Sequence, residues 1–282
     1  MSTRNIILGG AQFGYQYGKY LPSAVSNIRE INELLDCALE NGCSTIDIAQ
    51  GYEGCVERLS SSSTIRRFKI LNKIVYNSHS EIEIQKELII TLEKLRVEKY
   101  ESVAIHNWSS LDMDGRRRAL DFLNSLQNEQ ITLMKGISVY DSFEVKYSEL
   151  HSRIDQIQAP LNFFKRDFLK HEDSFRLVNE GVIFHARSIF AQGALMSSSS
   201  QIHERFPEIK YFIDFKKRSK LSSLRAALSI YDSQHIFSSL VVGVMNSEEL
   251  LEICKAVPLV LANETIETDV PGNLPISDPR IW

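Results

Sequence analysis

Along this chain, short unbroken apolar runs alternate with longer stretches in which apolar positions recur every three or four residues. Arg4–Ala11, Ser44–Ala49, Phe68–Val75, Ser102–His106, Leu133–Val139, Ile154–Ala159, Val182–Ser188 and Ser239–Val244 read as eight buried strands. Between them lie helical patterns. Ile28, Ile31, Leu34, Leu35, Ala38 and Leu39 share one face, opened by a Ser26-Asn27 cap and closed by Gly42. Ile84, Leu88, Leu92 and Leu95 share another after Ser80, and Leu120, Leu123 and Leu126 mark a third within Asp112–Asn128. Shorter helices are predicted at Cys55–Leu59, Ser142–Leu150, His171–Asn179, Lys217–Tyr231 and Ser247–Ala256. The serine run Ser60–Ser63 reads as an exposed connector, and the glycines up to Gly18 as a loop after the first strand.

Eight βα units in succession imply a parallel sheet with helices outside it, and closure into a (β/α)8 TIM barrel is the expected architecture. At 282 residues the chain suits one such domain over 1–282, with 263–282 as an irregular tail. An open doubly wound sheet is the alternative. The tail carries Pro271, Gly272, Pro275 and Pro279 without a helical period, so it reads either as a wall of the barrel mouth or as a strap on the exterior.

Charge narrows the choice of partners. A formal balance of −4 gives no general attraction to nucleic acid or an anionic membrane, and Lys216-Lys217-Arg218 reads as a solvated helix face. No apolar run reaches membrane-spanning length and no signal peptide opens the chain, so the cytoplasm is expected. The four cysteines lack CxxC spacing and read as reduced packing thiols; the seven histidines form no metal motif, so no metal is expected.

In a barrel, chemistry belongs at the C-terminal ends of the strands. There the second strand places Asp47, with Tyr52 in the following loop, the third places Lys73 and the fourth His106. A carboxylate in an apolar strand needs a cation, and Lys73 on the neighbouring strand is the candidate. An ammonium beside a phenol is expected to lower the phenol's pKa, making Tyr52 a proton donor, while His106 orients a carbonyl oxygen. Reduction of an aldehyde or ketone fits this set, with hydride from a nicotinamide cofactor. A metal-dependent isomerase or hydrolase using Asp47 and His106 is a rival reading. Trp108, Phe13 and Tyr15 are expected to make the mouth partly aromatic.

The pieces Thr45–Tyr52, Asn72-Lys73-Ile74, Ile105-His106-Asn107, Gly136-Ile137-Ser138, Gln158 with Asn162, and Ala186–Leu195 make the chain resemble the aldo-keto reductase family over nearly its whole length. That resemblance implies NADPH or NADH as cofactor and a small-molecule carbonyl compound as substrate. It implies that Asp47, Tyr52, Lys73 and His106 are the catalytic tetrad. Ser138 and Gln158 would hold the nicotinamide carboxamide, and Ser188, Phe190, Gln192 and Gly193 would wrap the pyrophosphate. The segment Val242–Leu250, with Gly243 and Asn246, would take the adenosine half.

Four departures stand out. Arg187 replaces the aromatic residue that many relatives stack on the nicotinamide, Val139 replaces an Asn, and Glu53 reads as an insertion that displaces the Tyr52 loop. The adenosine segment offers Met245, Glu248 and Glu249 where NADPH users carry cations, which predicts NADH use unless Lys255 or Lys216 reaches the site. A reductase-like binding or regulatory subunit with little turnover is the alternative function.

Overall fold

The computed structural model describes residues 5–14, 25, 27–232, 236–261 and 274–277. Its eight strands are β1 (Asn5–Gly9), β2 (Thr45–Ala49), β3 (Lys69–Ile74), β4 (Tyr100–Ile105), β5 (Thr132–Ser138), β6 (Gln156–Pro160), β7 (Ile183–Arg187) and β8 (Phe237–Val242). They pair in parallel and in sequence order, and β8 closes on β1, so the sheet is the expected (β/α)8 barrel and not an open one. The helices are α1 (Ile28–Glu40), α2 (Cys55–Ser60), α3 (Glu81–Leu95), α4 (Met113–Asn128), α5 (Tyr147–Leu150), α6 (Glu172–Asn179), α7 (Ser200–Arg205), α8 (Ile209–Ser219), α9 (Ser223–Leu228) and α10 (Ser247–Leu261).

The long helices form where period and caps agree. Asn27 accepts a hydrogen bond from the Glu30 amide at 3.0 Å and starts α1, while Ser26 lies outside the described residues. In α3 the buried positions are Ile84, Leu88, Leu92 and Leu95, as the spacing predicts, and Arg96 ends the helix in the left-handed region at φ 57°. Asp112 caps α4 by accepting from the Gly115 amide at 2.7 Å.

Four expectations need correction. Ser60–Ser63 is no exposed connector: Ser60 closes α2, and Ser62 is buried with its hydroxyl accepting from the Thr64 amide to open a 3-10 turn. The predicted helix at Ser142–Leu150 is a 3-10 turn at Ser142–Glu144 followed by α5, because the Glu144 carboxylate turns back to accept from the Tyr140 amide at 2.7 Å. The predicted helix at Lys217–Tyr231 is split. Lys220, at φ 53°, ends α8, and Ser222 caps α9 afresh. Finally, the loop after β1 tightens at once into a 3-10 turn, Gly10–Phe13; Arg4 and the residues from Tyr15 to Gly18 lie outside the described residues.

Side chains alternate between two environments. Outward positions such as Ile46, Ile48, Ile70, Val103, Ile137, Ile157 and Phe184 join helix residues in one large apolar cluster. Inside the barrel, Ile7, Leu71 and Val241 form a small cluster of their own, and most other inward positions are polar: Ser102, Ser138, Gln156, Gln158, His185 and Ser239 are all buried. His185 pairs through Nε2 with Gln156 Oε1 at 2.8 Å. Gly136 makes room for that pair, since a Cβ there would stand 2.5 Å from Gln156 Cγ.

Candidate active site

The polar interior opens at the C-terminal ends of the strands into a cavity of about 650 Å³, a size suited to a small-molecule ligand. Asp47, Tyr52, Lys73 and His106 all line it. Lys73 lies opposite Ala49 in the β2–β3 register, beyond Asp47, and its stem reaches back so that the ammonium pairs with Asp47 Oδ2. Both groups are buried, so the pairing is what makes either charge tolerable there. The second carboxylate oxygen, Oδ1, accepts a hydrogen bond from Gln158 Nε2 at 2.8 Å.

Tyr52 reaches the same place by a tight turn in which its amide donates to the Ala49 carbonyl at 2.9 Å. The residue Glu53 does not carry the phenol out of the cavity. Gly54 takes a left-handed φ of 73°, and the Glu53 carbonyl packs where a Cβ on Gly14 would stand, 2.7 Å away. The Lys73 ammonium lies 5.3 Å from the centre of the Tyr52 ring. His106 extends the β3–β4 ladder, its amide donating to the Ile74 carbonyl at 2.7 Å.

Electrostatics corrects one expectation. The Tyr52 phenol is pushed up, not down: burial contributes most, the Asp47 charge adds to it, and Arg187 opposes it. Tyr52 therefore holds its proton at neutral pH. Burial, with Lys73 and Arg187 nearby, lowers His106 to about 4, so the imidazole is neutral and offers one N–H donor.

The remaining predicted residues divide. Gln158, Arg187, Ser188, Phe190, Gln192, Gly193 and Gly243 line the cavity. Ser138 is fully buried behind it, and Asn246 caps α10 by accepting from the Glu249 amide at 2.9 Å; neither is on the wall. In the loop after β7, Ser188, Ala191, Gln192 and Gly193 have φ values of 61°, 45°, 50° and 88°, three of them strained for residues with a Cβ. Arg187 lies with its guanidinium carbon 4.3 Å from the centre of the Tyr140 ring and donates to the Val139 carbonyl at 2.9 Å.

The aromatic mouth is built from other residues than those predicted. Trp108 and Phe13 are fully buried away from the cavity, Trp108 beneath the Arg116 guanidinium, and Tyr15 lies outside the described residues. Tyr140 and Phe190 line the cavity instead. Tyr140 follows β5 at the reactive rim, and that position was the only sequence signal for it. Glu252, Ile253 and Met196 also line the wall. Of the tail, the described turn Pro275–Ser277 packs Ile276 among Phe206 and Phe212, away from the cavity; 263–273 and 278–282 lie outside the described residues.

A nicotinamide dinucleotide fits these features. The buried Gln158 Oε1 has no protein partner and sits at a cavity wall, as an amide-binding group would require. Among the described residues, no helix is long and apolar enough to cross a membrane.

The model of the Aldo/keto reductase family matches residues 5–268. Among solved structures, the chain is similar to aldo-keto reductase AKR11C1 from Bacillus halodurans in its holo form, at 15% identity and a TM-score of 0.71, covering 93% of this chain and 88% of that one. It is also similar to PA4992 from Pseudomonas aeruginosa, at 19% identity and a TM-score of 0.68, covering 91% of this chain and 90% of that one. No curated protein sequence matches.

Proposed function

Since the chain belongs to the aldo/keto reductase family, we propose that it reduces an aldehyde or ketone, with sugar-derived carbonyl compounds among the candidates, and that Tyr52 is the general acid. The observation that carries this reading is the convergence of Asp47, Tyr52, Lys73 and His106 on one cavity. Bound NADH or NADPH supplies the hydride. Gln158, Ser188, Phe190, Gln192 and Gly193 are the residues proposed to hold it from the cavity wall, with Arg187 alongside.

The protein's part is proton delivery and charge placement. Neutral His106 donates a hydrogen bond to the carbonyl oxygen and orients it beside the Tyr52 hydroxyl. As the oxygen gains charge, Tyr52 releases its proton, and the Lys73 ammonium above the ring stabilises the phenolate that forms. Asp47 keeps Lys73 charged and in place, and Gln158 fixes Asp47. A metal role for Asp47 competes with these two partners, one on each carboxylate oxygen.

NADH is the proposed cofactor. Glu249 and Glu252 line the cavity, and carboxylates repel the 2′-phosphate that distinguishes NADPH. Neither Lys216 nor Lys255 is on the wall; Lys216 donates to Ser223 Oγ at 3.0 Å. Titration is expected to give a dissociation constant for NADH about tenfold below that for NADPH, narrowed in Glu249→Gln/Glu252→Gln. Tighter NADPH binding would overturn this.

The test of the whole reading is NADH oxidation against a panel of aldehydes and ketones, with Tyr52→Phe as control. Carbonyl-dependent oxidation that collapses in the control supports it. Cofactor binding with no turnover across the panel would indicate a binding or regulatory subunit.

A further inference from the structure

Two thiols outside the catalytic set meet across 211 positions of sequence: Cys43 Sγ and Cys254 Sγ are 3.9 Å apart. Cys43 lies in the turn between α1 and β2, its amide donating to the Ala38 carbonyl at 2.8 Å, and Cys254 lies on α10. We infer that this pair is a thiol-oxidation site that closes to a reversible disulfide under peroxide, with Cys254 as the attacking thiol and Cys43 as the resolving one.

Geometry assigns the roles. Cys43 is buried, whereas Cys254 is partly exposed and meets a dissolved oxidant first. Either thiol can donate across the contact; that shared contact lowers Cys254, while the contact and burial push Cys43 up, so the more exposed sulfur is the one that ionises. Closing the contact to a bonded S–S length of about 2.05 Å asks for a side-chain rotation and a small helix shift. The other two cysteines are poorer candidates. Cys55 is fully buried and pushed up to about 12 by burial, and Cys37 accepts from Asn41 Nδ2 at 3.8 Å.

The chemistry balances with hydrogen peroxide as oxidant. The Cys254 thiolate attacks one peroxide oxygen; an S–O bond forms, the O–O bond breaks, and the departing hydroxide is protonated to water. The Cys43 sulfur then attacks the sulfenic sulfur, forming S–S and breaking S–O, and a second water leaves with the Cys43 proton. Two thiols lose two electrons and peroxide gains them. The bridge ties α10, whose Glu249, Glu252 and Ile253 line the cavity, to the entry of the strand that carries Asp47.

The experiment treats the reduced full-length chain with one equivalent of hydrogen peroxide and follows free thiols, intact mass and a non-reduced peptide map. Expected are the loss of two thiols, a mass lower by two hydrogens, a linked Cys43–Cys254 peptide, and reversal by dithiothreitol. Cys43→Ser should accumulate a dimedone-trapped sulfenic acid on Cys254, Cys254→Ser should lose thiols about tenfold more slowly, and Cys37→Ser should still form the bridge. Linkage through Cys37, a link between chains, or sulfinic acid on Cys254 without a bridge would overturn the inference. None of these readouts depends on cofactor or carbonyl reduction, so the result stands apart from the proposed activity.

Discussion

The inside of the barrel and the layer between barrel and helices are made from alternate residues of the same strands, yet they are different materials. The layer is mostly apolar, with Leu34, Leu88 and Leu123 in one cluster with Ile46, Ile70 and Val103; the buried Asn72 and the Tyr100 hydroxyl, which donates to the Leu88 carbonyl at 2.9 Å, are polar exceptions. The interior has one small apolar cluster and a set of buried polar groups, among them the His185–Gln156 pair and the bonded trio Asp47, Lys73 and Gln158. The difference teaches that stability and chemistry are divided by the parity of strand position: the outward residues hold the barrel closed, so that the inward ones can be polar at some cost.

Substitutions that cross this division should have the largest effects. Lys73→Met strands the buried Asp47 charge, and it is expected to cost about 3–5 kcal/mol of stability as well as nearly all reductase activity. Urea unfolding and NADH oxidation on the same sample measure both losses. An active, equally stable variant would refute the pairing. Tyr52→Phe stays on one side of the division: kcat/KM should fall about 10³-fold while the unfolding midpoint barely moves, since the lost hydroxyl serves proton transfer.

Leu123→Ala is the mirror case. It removes a fully buried side chain from the outer layer, and it should cost about 2–5 kcal/mol in urea unfolding with kcat unchanged in the folded fraction. Loss of kcat without loss of stability would show that the two regions are not separable.

Acid sharpens the contrast most gently. Burial lowers His185 and His106 to about 4, so between their unfolded value of about 6.5 and that value the unfolded chain binds more protons than the folded one. Stability is therefore lost as pH falls from about 6.5 to about 4, by up to about 3 kcal/mol for each histidine. In His185→Gln, part of this slope should disappear, read as the change in urea midpoint between pH 7 and pH 5. An unchanged slope would mean that His185 is not buried neutral.

The outer layer was the legible part of the sequence. Runs such as Ile6-Ile7-Leu8 and the spacing of Ile84, Leu88, Leu92 and Leu95 encode burial locally, so the barrel followed from them. Placing Asp47, Lys73 and His106 at one rim needed only strand ends. What escaped notice depends on partners distant in sequence or on the direction a short turn takes. The Gln158–Asp47 bond joins residues 111 positions apart. A 3-10 turn carries Trp108 into the outer layer although it follows His106 closely. The pKa of Tyr52 depends on burial and the Asp47 charge outweighing the Arg187 guanidinium, which residue types alone do not specify. The segment holding α7, α8 and α9 is broken by a left-handed lysine and a serine cap, signals weak against its broad amphipathic pattern.

The loop after β7 holds Ser188, Ala191 and Gln192 in backbone shapes that side-chain-bearing residues seldom take. Its contour is therefore set while the chain folds, and an arriving molecule need not impose it. Docking there should proceed at a pace governed by diffusion into the opening, and exchanging Ala191 for glycine, which removes the steric objection, should leave a floppier loop that grips its guest less firmly.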